Sequence, residues 1–421
     1  MDLSFKIHTY GCKVNTYDSG LLQSRLSQNG FTLTAGEPRV HVLNTCAVTR
    51  EATLEAVKQA RKLKARDPHC LVVVTGCAAQ VDTEEFAHVP GIDLVVANSH
   101  KTSLETLIKQ YYSGQLRERV HKSNIFKKED LEPGGGVESG HTRAFLKIQD
   151  GCNSFCTFCV IPFARGKSRS LSIADITRRV NELHAGGMQE VVLTGVHIGD
   201  YRDGEKGLED LIEGVLKGSA IPRVRLTSLE PPEVTPRLLE LFTESRLCPH
   251  FHMSIQSANS KVLFAMKRQY KADAIETALM AIDEQVPGSF VGMDVIAGFP
   301  GETDEEFIDS TERLRRLPWT RLHVFPYSSR PGTFAARRTD HVATDQIRRR
   351  AGVLRQLSDE RLSEQAQAQI GKRKTALSLG NGRLLSRDFW HIDLIGERLE
   401  PNREFELKIE GAHEGALIAR I

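Results

Sequence analysis

"RAFLKIQDGCNSFCTFC", residues 143–159, runs from a strand-like stretch into a turn and then into three closely spaced cysteines. The stretch AFLKIQD (144–150) reads as a β-strand, and Cys152, Cys156 and Cys159 follow it at C-x3-C-x2-C spacing. Further strand-like runs recur downstream: EVVLTG (190–195), RVRLTS (223–228), HFHMSI (250–255), VGMDVI (291–296) and TRLHVF (320–325). Helical patterns separate them, such as Ile173–Ala185 and Ala272–Glu284. Six βα units over about 180 residues predict a barrel, open or closed, with functional residues where strands end.

The chain upstream repeats the same device. FKIHTYGC (5–12), VHVLNTC (40–46) and CLVVVTGC (70–77) each close on a cysteine, at intervals of 34 and 31 residues. A strand-plus-helix repeat has about this length. Helical patterns fill the gaps at Tyr17–Asn29 and Glu51–Ala65, and a fourth run, IDLVVAN, lies at 92–98. This alternation predicts a doubly wound parallel α/β sheet, whose ligands sit beyond the carboxyl ends of its strands. A lone Cys12 would read as a small buried hydrophobe. Three strands ending in Cys12, Cys46 and Cys77 place three thiols in one crevice instead.

The rest of the chain sets the boundaries. Its 421 residues exceed one ordinary core, so several domains are expected. Residues 1–116 form the first domain and 117–141 a charged, glycine-containing linker with Pro133-Gly134-Gly135-Gly136. Residues 142–368 form the barrel domain, closing on one or two charged helices within 340–370. Residues 369–421 break into short strand-like pieces that predict a small all-β barrel. Net charge is only +2, so bulk electrostatics give no case for nucleic acid. Met1–Lys6 lacks a basic n-region and no apolar run reaches about 18 residues, so neither secretion nor a membrane span is expected. A cytoplasmic, reducing setting follows, in which eight cysteines point to metal or redox chemistry rather than disulfides.

The C-x3-C-x2-C triad favours a metal site. Structural zinc wants four closed ligands, and no fourth Cys or His lies nearby; His141 and His184 are remote in sequence. Three thiolates suit a cubane 4Fe–4S cluster with one iron left open. Cys70 and Cys248 read as packed or free thiols, and His8, His250 and His252 as structural strand residues.

C-x3-C-x2-C after the first strand of a βα barrel resembles the radical S-adenosylmethionine (SAM) enzymes. The resemblance implies that SAM chelates the open iron and is cleaved to a 5′-deoxyadenosyl radical. The likeness extends over almost the whole chain. YGCKVNTYDS, LNTCAVTREA, VVVTGCAAQ, RAFLKIQDGCNSFCTFCVIPFARGKSRS, VVLTGVHIG, MDVIAGFPGET and HVFPYSSRPGT together look like the methylthiotransferases. That family implies an auxiliary-cluster domain, a radical-SAM barrel and a C-terminal TRAM domain. By this resemblance Cys12, Cys46 and Cys77 hold an auxiliary 4Fe–4S cluster, and Cys152, Cys156 and Cys159 hold the SAM cluster. The two crevices would face each other across the interdomain gap. The GCKVN and NTCAVT stretches resemble the branch acting on threonylcarbamoyladenosine beside the tRNA anticodon, giving its 2-methylthio derivative. The competing substrates are isopentenyladenosine in tRNA and an aspartate of a ribosomal protein. The reading from another class is a non-catalytic RNA-binding metalloprotein.

Further SAM contacts are expected at barrel strand ends: Gly195, Ser228, Glu230, Gln256, Asp294 and Gly298. ARGKSRS offers Arg165, Lys167 and Arg169 as anion contacts to SAM carboxylate or RNA phosphate. Residues 313–355 hold 11 arginines against 2 acidic residues, interleaved with Trp319, Phe325, Tyr327 and Phe334, and read as a tRNA-facing surface. Residues 371–421, with 9 basic and 8 acidic residues, offer no such signal of their own. The partners implied are the tRNA anticodon stem-loop and a reductant such as flavodoxin or ferredoxin, with the chain acting as a monomer.

Overall fold

The computed structural model describes residues 3–135, 142–379, 382–396 and 399–420. Residues 136–141, which include His141 and the end of the expected linker, lie outside that set. The chain forms two compact units: residues 1–139, 145–170 and 328–336 in the first, and 140–144, 171–327 and 337–421 in the second.

The first unit is built on a six-stranded sheet. Its strands are β1 (Ser4–Thr9), β2 (Thr32–Leu33), β3 (Val40–Thr45), β4 (Leu71–Gly76), β5 (Leu94–Ala97) and β6 (Val120–His121). They pair in the order β2-β1-β3-β4-β5-β6, all parallel. β3, β4 and β5 are buried along their whole length, which explains their continuous apolar runs. Alternate residues serve opposite faces. Val40, Val42, Leu71 and Val73 pack with Leu22 and Leu26 of helix α1 (Lys13–Gln28). Leu43, Val72 and Val74 pack with Ala56, Ala60 and Leu63 of helix α2 (Arg50–Arg66). Thr49 caps α2, accepting from the Ala52 amide. The strand order reverses between β1 and β3, the switch point at which doubly wound sheets bind ligands.

Two elements differ from expectation here. Within the segment read as a linker, Val120–His121 adds β6 to the sheet edge and Ile125 is buried. Two residues of pairing and one apolar anchor leave no periodicity to find. Helix α1 begins at Lys13, not Tyr17, because the polar KVNT stretch supplies its first turn.

The chain passes between the units within β7 (Arg143–Lys147), and the first unit also holds the short antiparallel pair β8 (Gln149–Asp150) and β9 (Arg169–Ser170). The second unit carries β10 (Glu190–Thr194) parallel to β11 (Arg223–Leu226). It also carries the parallel set β12 (His250–Gln256), β13 (Phe290–Ala297) and β14 (Arg321–Pro326). With β7, these are the six strands that the sequence predicts. A single helix, Thr344–Gln367, follows. The chain ends in a closed five-stranded barrel of β15 (Arg373–Ser378), β16 (Arg383–Ser386), β17 (His391–Ile395), β18 (Glu404–His413) and β19 (Ala416–Arg420), in the order β15-β16-β17-β19-β18.

A buried ionic cluster ties that barrel to β10 and β11. The Glu190 carboxylate accepts from Arg223 Nε at 2.7 Å and Arg225 Nε at 2.9 Å. Arg223 also donates to Glu404 at 2.7 Å and to the Leu385 and Ser386 carbonyls. Burial pushes the Glu190 carboxyl up, but Arg225 and Arg223 outweigh it and hold the group well below the usual carboxylate range. Its stabilisation is therefore present above about pH 4.3 and is lost as pH falls further. Glu190→Ala would leave buried Arg225 without the carboxylate it donates to and buried Arg223 with Glu404 alone. It is expected to cost about 3–5 kcal/mol, read from urea unfolding at neutral pH.

Candidate metal centres and the strand-end site

The first unit brings Cys12, Cys46 and Cys77 together at the carboxyl ends of β1, β3 and β4. Cys12 precedes the first turn of α1, Cys46 directly follows β3, and Cys77 opens the short helix Cys77–Val81. Cys12 is exposed, whereas Cys46 and Cys77 are buried. None of the three is in a disulfide. Burial, then Cys77 and Cys12, push the Cys46 thiol up to about 12, so the protons leave only if a cation or metal compensates. Two glycines allow this approach. A Cβ on Gly11 (φ +91°) would lie 2.6 Å from Cys46 Sγ, and one on Gly76 (φ +95°) would lie 2.4 Å from the Thr45 carbonyl oxygen.

Cys152, Cys156 and Cys159 share one loop of the same unit. Cys152 and Cys156 are buried and Cys159 is half-buried. The Ser154 amide donates to Cys152 Sγ at 3.4 Å, and the Cys159 amide to the Cys156 carbonyl at 3.0 Å. Phe155 takes a left-handed conformation (φ +47°), turning the loop between Cys152 and Cys156. Its ring packs with Phe126 and Phe163 at 6.2 and 6.1 Å between centroids, and those two rings meet at 6.0 Å, an apolar cluster joined to the loop of the thiols through Phe155.

Arg165 corrects the sequence reading. It is 3 % exposed and is no free anion contact. Its Nε donates to Cys77 Sγ at 3.2 Å, Nη1 to Asp150 at 2.9 Å, and Nη2 to Asn15 at 2.6 Å and Asp18 at 3.1 Å. The next residue, Gly166, accepts the Cys152 amide at 3.1 Å. The dipeptide Arg165-Gly166 thus touches both cysteine triads. Lys147 bridges Asp18 and Asp150 at 2.6 and 3.0 Å, and Lys101 reaches Asp18 at 3.1 Å. Burial pushes both carboxyls up, but the cations outweigh it and hold them well below the usual range. Asn98 Nδ2 donates to the Ala164 carbonyl at 2.9 Å and lies 3.7 Å from Cys77 Sγ. Asn15 ties β1 to β3 by donating to the Tyr10 and Thr45 carbonyls. The sequence signal for this network was present: Asn15 and Asp18 in GCKVNTYDS, Asp150 in QDGC and Arg165 in FARG. Their mutual proximity was not. Three thiols per site, amide and guanidinium donors aimed at sulfur, and nearby buried cations fit thiolate-held iron–sulfur clusters.

In the second unit, Gly195, Ser228, Glu230, Gln256 and Gly298 all fall at or just beyond the ends of β10 to β13. Ser228 (φ +58°) and Gln256 (φ +65°) are left-handed, a strain that accompanies functional strand ends. Glu230 accepts from Arg268 at 2.7 Å; burial raises its carboxyl pKa despite that cation. Gly298 is required by packing, since a Cβ there would meet Ile347 Cγ1 at 2.5 Å, and its amide donates to Glu302. Asp294 lies inside β13, not at its end. It accepts from His252 Nε2 at 3.0 Å and Ser254 at 3.2 Å. His252, Asp294 and His323 bring ligand atoms within 4.8 Å of one another, a polar cluster that the structural reading of His252 overlooked. His250 is buried against Phe389 and Phe290, as a structural residue would be. Cys70 and Cys248 are also buried.

The arginine-rich stretch over 313–355 is only partly paired: Arg315, Arg316, Arg321, Arg348 and Arg355 stay exposed with no ion pair among the described residues, while others are engaged. Trp319 is 2 % exposed and donates to the Leu314 carbonyl. Arg313 pairs with Asp273, Arg330 with Asp82, Arg338 with Asp340, and Arg350 with Glu302. Among the named aromatics, Phe325 and Phe334 remain exposed.

Comparison with known proteins places this architecture. Residues 146–314 match the radical SAM superfamily, and residues 4–97 match the family described as uncharacterized protein family UPF0004. The chain is 36 % identical over 92 % of its length to threonylcarbamoyladenosine tRNA methylthiotransferase MtaB of Aquifex aeolicus, covering 96 % of that protein. It is 36 % identical to the Bacillus subtilis protein of the same name, over 85 % of this chain and 81 % of that one. The tRNA-2-methylthio-N(6)-dimethylallyladenosine synthase of Pelodictyon phaeoclathratiforme is 34 % identical, over 79 % of this chain and 77 % of that one. The radical S-adenosylmethionine methyltransferase TsrM from Kitasatospora setae shares the fold, with a TM-score of 0.60 at 13 % identity, over 77 % of this chain and 73 % of that one. With two cysteine triads on strand-end loops and a relative of this identity along nearly its whole length, the chain belongs to the radical SAM tRNA methylthiotransferases.

Proposed function

We propose that this chain adds a methylthio group to C2 of N6-threonylcarbamoyladenosine at position 37 of tRNA. The observation that carries the reading is the pair of cysteine triads in one compact unit, both touched by Arg165-Gly166. Cys152, Cys156 and Cys159 hold a 4Fe–4S cluster that binds SAM, and Cys12, Cys46 and Cys77 hold a second cluster. When bound, these groups supply one-electron cleavage of the SAM sulfonium and the sulfur that is transferred.

The chain's own residues orient and shield. Arg165 and Asn98 donate toward the Cys77 sulfur and stabilise its thiolate. Phe126, Phe155 and Phe163 keep water from the Cys156 loop. Gly195, Ser228, Glu230, Gln256 and Gly298 form the strand-end rim that contacts SAM, with Asp294 and its histidines below it. A small electron-transfer protein such as flavodoxin or ferredoxin supplies the electron, and the chain works as a monomer in the cytoplasm.

Two measurements test this. Anaerobically reconstituted protein is expected to hold about eight irons per chain, the content of two cubane clusters; stoichiometric zinc without iron would refute it. Nucleoside analysis of tRNA from a deletion strain is expected to lose 2-methylthio-threonylcarbamoyladenosine and retain its unthiolated precursor. Loss of the 2-methylthio-isopentenyladenosine product instead would move the substrate to the other tRNA branch, as the likeness to the dimethylallyladenosine synthases allows.

A further inference from the structure

Just beyond the carboxyl end of β12, the segment 257–271 holds four basic residues and no acidic one. Val262, Leu263 and Met266 are buried and anchor the short helix Ser260–Ala265. Its outer side is left to Lys261 and Phe264. Phe264 is 85 % exposed, more than any other large hydrophobic side chain among the described residues. Lys261, Lys267 and Lys271 are exposed as well, and none has an acidic partner among the described residues. A groove of about 440 Å³ runs between Lys261, Phe264, Arg268, Tyr270 and Lys271.

The groove has a rigid floor. Arg268 donates to Glu230 at 2.7 Å and also to the Ser254 carbonyl. Its guanidinium lies 5.4 Å from the Tyr270 ring centroid, and the Tyr270 hydroxyl donates to the Ser254 carbonyl at 3.2 Å. The floor is therefore bonded to β12 and to the loop after β11, where Glu230 and Gln256 lie. It is placed beside the strand-end rim, on the face where barrels of this kind do their chemistry.

We propose that this groove holds an unpaired nucleotide of the RNA substrate, its base stacked on Phe264 and its flanking phosphates on Lys261, Lys267 and Lys271. The inference rests on the tRNA reading above and gives that substrate a surface. Charge decides the occupant. Two unpaired lysines lining the groove beside one exposed aromatic, with exposed Lys267 three residues on in the chain, match a polyanion with splayed bases. A neutral apolar segment would leave the lysines without partners.

The test is fluorescence anisotropy of full-length protein with a labelled anticodon stem-loop RNA, across a series of salt concentrations. Phe264→Ala is expected to weaken binding about tenfold at every salt concentration, as loss of one stacked base does. The triple variant Lys261→Ala, Lys267→Ala, Lys271→Ala is expected to flatten the slope of log Kd against log salt by about one per lysine. All four side chains are exposed, so circular dichroism and thermal unfolding should match wild type. Wild-type Kd and slope in both variants, with a wild type that methylthiolates the RNA, would overturn the groove alone. A wild type that neither binds nor methylthiolates the RNA would overturn the functional reading, and the groove with it.

Discussion

Cys156→Ala is expected to abolish reductive cleavage of SAM, and Cys46→Ala to leave cleavage intact while stopping methylthiolation. The expectation follows from where the two thiols sit. Cys156 lies between Cys152 and Cys159 on one loop, and two thiolates do not hold a cubane cluster in place. Cys46 belongs to the other triad, and its neighbours are Cys12, Cys77 and the ends of β1 and β3. No hydrogen bond described for Cys46 reaches the Cys156 loop. Both side chains are small and buried, so alanine removes one sulfur with little change in volume. The readouts are 5′-deoxyadenosine formation and 2-methylthio nucleoside in RNA, measured on the same preparation. Cys77→Ala should behave differently from Cys46→Ala. It removes the acceptor of Arg165 Nε, and Arg165 adjoins the residue that receives the Cys152 amide. Cleavage is therefore expected to fall in Cys77→Ala as well. Equal loss of SAM cleavage in the Cys156 and Cys46 variants would refute the division of labour between the triads.

Much of this was legible in the chain because periodicity and chemistry agreed. The runs ending in Cys12, Cys46 and Cys77 are continuous and apolar because both faces of the parallel sheet are covered. The six barrel strands and the helices Ile173–Ala185 and Ala272–Gln285 announced themselves by the same alternation. What was illegible depends on side chains meeting across large sequence separations. Arg165 reads as a loop cation because a sequence shows its charge and not its partners. Its four hydrogen-bond partners lie on β4's cap, β8 and α1, up to 150 residues away. Counting charges over 313–355 could not show which arginines are engaged: Arg313, Arg330, Arg338 and Arg350 are paired, whereas Arg315, Arg316, Arg321, Arg348 and Arg355 stay exposed. Phe264 was missed because one exposed aromatic in a short helix has no periodic signature. Strand β6 was missed because two paired residues fall below any pattern.

Arg165→Lys is expected to fold and yet lose its hold on the cluster proposed for Cys12, Cys46 and Cys77. A lysine keeps the positive charge, and Asp18 and Asp150 also keep Lys147 as a partner. The ionic network therefore survives in weakened form. The planar fork does not: one ammonium on a flexible stem cannot donate to Cys77 Sγ while also serving Asp150, Asn15 and Asp18. Losing such an outer partner of a thiolate ligand typically costs about 10–100-fold in metal affinity or activity. Iron release to a chelator should accelerate in that range for one cluster and remain near wild type for the other, as followed by Mössbauer spectroscopy. Arg165→Leu goes further, because it leaves buried Asp18 and Asp150 short of a cation. It is expected to cost about 3–5 kcal/mol in urea unfolding, before any question of metal arises. Asn98→Leu separates the two effects. It removes a group 3.7 Å from Cys77 Sγ without altering a charge, so it should speed iron release with little loss of stability beyond that of its bond to the Ala164 carbonyl. If Arg165→Lys releases iron at the wild-type rate from both clusters, Arg165 serves the fold alone and its contact with Cys77 is incidental.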